Sequence, residues 1–423
     1  METAPTQQQA DAQLFYENGP IVLEREKVVA ALERKRANFQ EFSTSQQTQK
    51  QSLEERLAQF LRYDCASMLA QLDQMNEAWP GARPTLEFDR ADQLCIAFPH
   101  TWANHREARA WALDILLNRP VLAVDGSQIA PSKDFSPPVG AVQIGWFINE
   151  HRAGGGYVKD VEFEVLAPDE LSAEEDIVDR PDSSLPNQNV NQVRFVRECE
   201  KLCELMTHYA DAPELDKPLC YFDGSFIISF AGHMLPRHAR PYLQAVQALL
   251  DCSERTRVPL VGFVDNSFSH DLVTLIETLL ALSQRIPITD AGLLGKLLPK
   301  WGDRSPFFEC ARIDALSKEH RAPFYRDVVF TYVHLTNDRP PARLEMPRWL
   351  LDANRADEII DLVRAECVVG ANGYPYAIET ADAVAVISQE DRQRFYALFQ
   401  RWGEDKGLPI TQARKALSKL ARR

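Results

Sequence analysis

Three short apolar runs, each closed by an aspartate and two small turn-forming residues, constrain this chain more than any other feature. Val121–Val124 leads into Asp125-Gly126-Ser127, the run 219–222 into Asp223-Gly224-Ser225, and Leu260–Val264 into Asp265-Asn266-Ser267. Four or five consecutive apolar residues bounded by turn residues read as buried strands. Helical patterns over 191–210 and 238–252 separate them. Strands alternating with helices indicate an α/β domain with a mixed sheet, placed here over residues 119–400. Val139–Ile148 and Val161–Val165 add alternating, strand-like segments around Gly154-Gly155-Gly156. No helical pattern follows those glycines at once, so they fit a hairpin tip better than a phosphate loop. Further strands are expected at 327–335 and 342–345, and helices at 270–283, 289–298, 354–366, 379–386, 390–401 and 411–421.

Residues 1–118 have a different character. From about 20 to 78, apolar positions such as Val28, Leu32, Leu57, Phe60 and Met68 recur at helical spacing, which suggests an N-terminal helical arm suited to dimerisation. Pro80, Gly81 and Pro84 close it, and residues 401–423 form a third region, a basic C-terminal helix. The segment 167–190 is acidic and rich in Pro, Ser and Asn, and reads as a loop.

Composition narrows the chemistry. With 423 residues, 45% hydrophobic and 26% charged, the chain is an ordinary globular sequence. No run approaches the roughly 18 apolar residues of a membrane span, and Met1–Ala10 is polar and Gln-rich, so a cytoplasmic protein without membrane contact is expected. Eight scattered cysteines without a CxxC pair read as reduced, buried thiols. His is scarce, at 9 residues with no HExxH, so any metal is expected on carboxylates, which suits hard ions such as Mg²⁺ or Mn²⁺. A net charge of -14 argues against broad electrostatic wrapping of nucleic acid. A local basic channel beside an acidic metal centre is still compatible with it.

Asp125 and Asp223 carry that expectation. A strand end is rigid enough to place a carboxylate, and a following Gly lets the backbone turn and a ligand approach. Two such strands side by side would hold two carboxylates about a metal's width apart, as two-metal phosphodiester hydrolysis requires. Taken alone, Asp-Gly-Ser is a cheap tripeptide and two solvated turns would also produce it.

A longer ordered set goes further. VLAVDGSQI, CYFDGSF, GDRSPFF, PARLEMPRWL and GYPYAIETAD, from about 119 to 390, resemble the NurA nuclease family in order and spacing. The resemblance implies a ribonuclease-H-like mixed sheet flanked by helices and a homodimer. It also implies Mn²⁺- or Mg²⁺-dependent cutting of DNA, with two ions, beside a HerA-type hexameric translocase that prepares double-strand breaks for recombination. It makes Asp125 and Asp223 metal ligands and adds a glutamate on the helix before the second Asp strand. Asn191–Tyr209 offers Glu198, Glu200 and Glu204. Glu200 is taken, because it sits beside a stripe of Val196, Cys199, Cys203 and Met206. Tyr374-Pro375 matches the family's Tyr-Pro pair, with Tyr374 expected to position the phosphate. Asp382 stands where a His is usual, and is expected to complete a second metal site.

Arg304 and Arg343 are candidates for DNA phosphates, since guanidinium binds phosphate oxygens bidentately; Arg343 and Glu345 would equally make a structural pair. Trp301, Phe307 and Phe308 offer either a stacking surface or core. Asp265 reads as a helix cap or an extra ligand. Two other functions share parts of the pattern: an actin-like-fold phosphotransferase, whose glycine-rich phosphate loops are not evident, and a catalytically degenerate adaptor on the motor. A P-loop is absent, because Gly292–Leu297 has the wrong spacing and no hydroxyl follows Lys296.

Overall fold

The computed structural model describes residues 25–41, 55–76, 78–171, 186–283 and 285–412. The chain divides into two units, Met1–Arg62 and Tyr63–Arg423. The first carries helix α1 (Arg25–Glu33) and is helical again at 36–41 and 55–60. The second starts with α2 (Cys65–Gln74), whose N-terminus is fixed by a reciprocal Asp64–Ser67 capping box. The division between the units falls at 62/63, so the region expected over 1–118 spans both. Residues 63–118 belong with the sheet because strand β1 (Gly81–Pro84) pairs with a later strand, β8 (Phe308–Ala311). Gly and Pro disguise β1 in the sequence. It tolerates Pro84 because it is an edge strand, where one missing N–H donor costs little.

The remaining strands are β2 (Val121–Ile129), β3 (Phe135–Ser136), β4 (Gly140–Asn149), β5 (Tyr157–Leu166), β6 (Leu219–Asp223) and β7 (Leu260–Val264), then β9 (Val328–Val333), β10 (Ala342–Pro347) and β11 (Thr411–Gln412). Nine of them form one sheet in the order β1-β8-β9-β10-β7-β6-β2-β4-β5. β2, β4 and β5 are antiparallel neighbours, and the β4–β5 tip carries Gly154 and Gly155 at φ 105° and 80°. β6 lies parallel to β2, and β7 parallel to β6. Three antiparallel strands followed by two parallel ones, in the spatial order third-second-first-fourth-fifth, make the ribonuclease-H-like topology that the resemblance implies. An antiparallel extension, β10-β9-β8-β1, widens it.

The parallel crossovers need long connections, which α4 (Pro186–His208) and α5 (Pro236–Thr256) supply; α3 is His105–Leu116. After them come α6 (Asp271–Leu279), α7 (Ala356–Val369), α8 (Tyr376–Ala385) and α9 (Gln389–Lys406). Alternation along the strands assigns the two faces. Val121, Ala123, Leu219, Tyr221, Val261 and Phe263 join α3, α7 and α8 residues in one core. The other face meets α4 and α5, with Phe222 against Phe195 at 5.9 Å.

The expected helix at 411–421 gives way at Thr411–Gln412 to β11, paired with β3, and the rest, including Arg414, Lys415, Lys419, Arg422 and Arg423, lies outside the described residues. So do residues 172–185 of the expected acidic loop, whose last residues, 186–190, already belong to α4. No described helix is long and apolar enough to cross a membrane. The eight cysteines are free thiols, six of them buried.

Candidate active site

Register and alternation place the first two aspartates. Val124 of β2 lies opposite Phe222 of β6, so Asp125 and Asp223 follow each other across adjacent parallel strands. Such neighbours stand roughly 4.8 Å apart. Both share the face of Ala123 and Tyr221, under α8. Parallel strands open their C-terminal ends to ligands, and Asp223 ends β6 there. Asp125, expected at a strand end, lies in the middle of β2 just past its last parallel pair with β6, because β4 keeps β2 extended to Ile129. Gly224, at φ 147°, lets the chain leave β6 in a conformation that a side chain would resist.

α7 and α8 bring the next two groups. The Tyr374 hydroxyl donates to Asp223 Oδ1 at 2.7 Å, and its ring meets Phe263 at 5.0 Å. Tyr374 therefore holds a carboxylate, where a direct phosphate contact was expected. Asp382 on α8 lies close enough to Asp125 for its charge to be felt there, and α8 packs closely because Gly145, opposite Asp125, leaves room for Ala385. A buried carboxylate on α7 anchors the start of α8: Glu366 accepts from the Ala377 N–H at 2.8 Å.

The structure separates the three helix glutamates. Glu198 is buried beneath Gly126 and beside Arg194, while Glu200, the one expected, is exposed and paired with Arg197 at 2.6 Å. Glu204 is likewise exposed, on Lys201 at 2.7 Å. The buried stripe of α4 runs through Cys199, Leu202 and Met206, not through Cys203. That small rotation favours the flank carrying Glu198, four residues before Leu202. Gly126 completes the fit, since a Cβ there would lie 2.6 Å from Glu198 Oε1. Glu198 was among the sequence candidates, and the signal that selects it is Leu202 in the stripe together with the bare Gly126 opposite.

Electrostatics confirm the crowding. Burial, with the negative charges of Asp382 and Asp223, pushes Asp125 up to about 6 against the Gly126 N–H. Burial pushes Glu198 up to about 8; Asp125 and Asp223 add to this, and Arg194 opposes it. Asp223 is also raised, first by the protein packed around it and then by Asp382 and Asp265, against the Tyr374 hydrogen bond. Arg194 is ion-paired with Glu198 and donates to Gly126 O at 3.3 Å.

Such an all-oxygen donor set suits a hard divalent ion. The like charges that raise Asp125 are what a cation would relieve. Among the described residues, however, no group of three Asp, Glu, His or Cys side chains is spaced to hold an ion. Arg194 engages Glu198, and Tyr374 engages one oxygen of Asp223. The residues fit the ion by chemistry, and Glu198 would have to exchange Arg194 for it.

Other sequence candidates lie elsewhere. Arg304 is 2% exposed, held by Glu87 and by Asp357 at 2.6 Å. Arg343 is fully buried, paired with Glu345 at 2.6 Å and Asp271 at 2.8 Å. Neither meets DNA as expected; the structural Arg343–Glu345 pair is the reading that stands. Neither GDRSP nor the strand-like segment that carries Arg343 reveals in the sequence that both would be enclosed. Phe307 and Phe308 are core, and Trp301 packs with Phe98, Trp102 and Trp111. Asp265 is not a cap, because α6 begins after His270; it pairs with Arg339 at 3.3 Å.

Comparison with known proteins bears on the same region. A family model described as the NurA domain matches residues 119–387. Among solved structures, the NurA nuclease from Sulfolobus solfataricus is similar at 15% identity and TM-score 0.44, over 68% of this chain and 85% of that one. A NurA structure with dAMP and manganese is 12% identical at TM-score 0.38, over 67% and 88%. The catalytic domain of human endonuclease V is 15% identical at TM-score 0.29, over 72% and 95%. No curated protein matches.

Proposed function

Because the chain belongs to the NurA family, a family of nucleases, we propose that it hydrolyses DNA phosphodiesters with Mn²⁺ or Mg²⁺ at the acidic edge of its sheet. The observation that carries this is the meeting of Asp125, Asp223 and Asp382 beside Glu198, where burial and then neighbouring negative charge raise Asp125, Asp223 and Glu198. Asp125, Asp223 and Glu198 would hold the ions, with Asp382 completing a second site. An ion there supplies a Lewis acid that polarises the scissile phosphate and brings water to nucleophilic strength near neutral pH.

The chain's own residues prepare that chemistry. The middle of β2 fixes Asp125, the end of β6 fixes Asp223, and Tyr374 restrains one Asp223 oxygen. Arg194 pairs with Glu198 in the ion-free site, and would be released as a cation if Glu198 turned to hold an ion. Work at DNA ends beside a HerA-type hexameric translocase, as a cytoplasmic homodimer using the N-terminal arm, is the wider role that family membership suggests. The chain has no P-loop of its own, so ATP would come through the motor.

Linear duplex DNA incubated with the purified protein and Mn²⁺, against an Asp125→Ala variant, tests the reading. Cutting by the wild type alone supports it. A specific observation keeps the adaptor reading in view: no described carboxylates are already spaced for an ion. Equal, negligible cutting by both proteins, also with the translocase present, would favour the adaptor. ATP-dependent transfer to a small substrate would instead favour the phosphotransferase.

A further inference from the structure

The Asp-Gly-Ser turn after β6 is held from the opposite face of the sheet. Ser225 Oγ donates to Glu345, standing 3.0 Å from Oε1 and 2.9 Å from Oε2. The Phe226 N–H donates to Glu345 Oε2 at 2.7 Å. Glu345 is fully buried on β10, and β10 is not a neighbour of β6, since β7 lies between them. Two strand spacings amount to roughly 10 Å, more than a glutamate spans unless the turn folds toward it.

Gly262 makes the contact possible. It sits on β7 directly opposite Glu345 in one register and opposite Phe222 in the other. The turn folds over its bare backbone: a Cβ on Gly262 would lie 2.8 Å from Gly224 O and 3.2 Å from the Phe226 ring. Glu345 is fixed in turn by Arg343 Nε at 2.6 Å, and Arg343 by Asp271 at 2.8 Å. Asp271 is gripped by Arg312 at 2.6 Å, and Asp290 caps the α6 N-terminus through the Asp271, Leu272 and Val273 N–H groups. The chain of contacts thus runs from a rigid helix end to the residue two places after Asp223.

We propose that Glu345 is a positioning residue for the metal centre, clamping Ser225 and the Phe226 N–H so that the turn presents Asp223 at a fixed height and angle. This rests on the nuclease reading above. It gives the serine of the second Asp-Gly-Ser and the glutamate of PARLE one shared task. Glu345 touches neither substrate nor ion and acts only through the turn. A loosened turn should therefore weaken ion binding more than it slows cutting at saturating ion.

The test compares wild type, Ser225→Ala, Ser225→Thr and Glu345→Gln in the full chain. Mn²⁺ binding is read by electron paramagnetic resonance without DNA, cutting of linear duplex across Mn²⁺ concentrations, and thermal melting as the control for folding. Ser225→Ala removes the hydroxyl's bond to Glu345 and the one it accepts from the Ile227 N–H, both at a half-buried residue, so it keeps the test alive if Glu345→Gln does not fold. Its Mn²⁺ dissociation constant should rise about tenfold with melting little changed, and Ser225→Thr should restore it. Where Glu345→Gln folds, combining it with Ser225→Ala should add less than the two separate effects. Unchanged Mn²⁺ binding in Ser225→Ala, with a wild type that binds and cuts, overturns the clamp alone. A wild type that neither binds Mn²⁺ nor cuts overturns the nuclease reading, and the clamp with it.

Discussion

The two faces of the sheet near the ends of β6 and β7 carry charge in opposite ways. Toward α8, Asp125, Asp223 and Asp382 crowd together, while Glu198 and its partner Arg194 approach from α4 under Gly126. On the other face, Arg343, Glu345, Asp271 and Arg312 are buried in a closed series of ion pairs. Negative charge without matching cations raises carboxylate pKa values and leaves a place for an added cation. Matched charge in a dry interior is demanding to assemble and costly to break, and holds one arrangement of the backbone. The sheet thus separates reactivity from rigidity by the thickness of one strand layer.

The largest effect should come from the unmatched face. Asp125→Ala or Asp223→Ala should lower Mn²⁺-supported cutting by about three orders of magnitude, several kcal/mol of lost transition-state stabilisation. Metal-free melting should stay the same or rise, because a like charge is removed. Normal cutting by either variant in a single-turnover assay would break the contrast. Arg343→Leu should act in the opposite sense, unfolding the protein more easily by about 3–5 kcal/mol because Glu345 and Asp271 are left buried without it. Urea titration measures this, and a change under 1 kcal/mol would show that the inner network is not the rigid partner.

pH sharpens the comparison with a smaller effect. Asp125 and Glu198 have folded-state values raised to about 6 and about 8, so protonation favours the folded chain. That contribution is full below the ordinary carboxylate range and is lost as pH rises through these values. Metal-free protein should therefore melt progressively lower from about pH 5 to about pH 9. The upward shift in melting caused by Mn²⁺ should grow over the same window, since the ion competes with the protons. Equal Mn²⁺-induced shifts at both ends would contradict it. The smallest effect belongs to Glu200→Gln, which touches only an exposed pair with Arg197 and should change stability by less than about 0.5 kcal/mol. Its cutting should match wild type, while Glu198→Gln should not; the reverse outcome would return the ligand role to Glu200.

Much of this molecule is legible from its sequence because the signals are local. The apolar run ending in Asp-Gly-Ser locates β6, and helical periodicity locates α4, α5, α7 and α9, but β2 continues through its Asp-Gly-Ser to Ile129 because β4 pairs with it along its whole length. β1 is hidden because Gly81 and Pro84 carry turn chemistry, while the partner that makes it a strand, β8, lies more than two hundred residues away. The choice between Glu198 and Glu200 depends on a rotation of α4 by a fraction of a turn, which only packing against β2 and α5 sets.

The sequence by itself determined the α/β alternation, the aspartates carried by β2 and β6, and the Tyr374–Asp382 segment that meets them. Those depend on residue type and short spacing, which are fixed before the chain folds. Tertiary structure decided which glutamate faces the site, that Tyr374 holds Asp223, and that Arg304 and Arg343 are enclosed by carboxylates. Burial and pairing are properties of distant segments brought together. An arginine's exposure depends on which acids the topology delivers to it, and no local pattern encodes that.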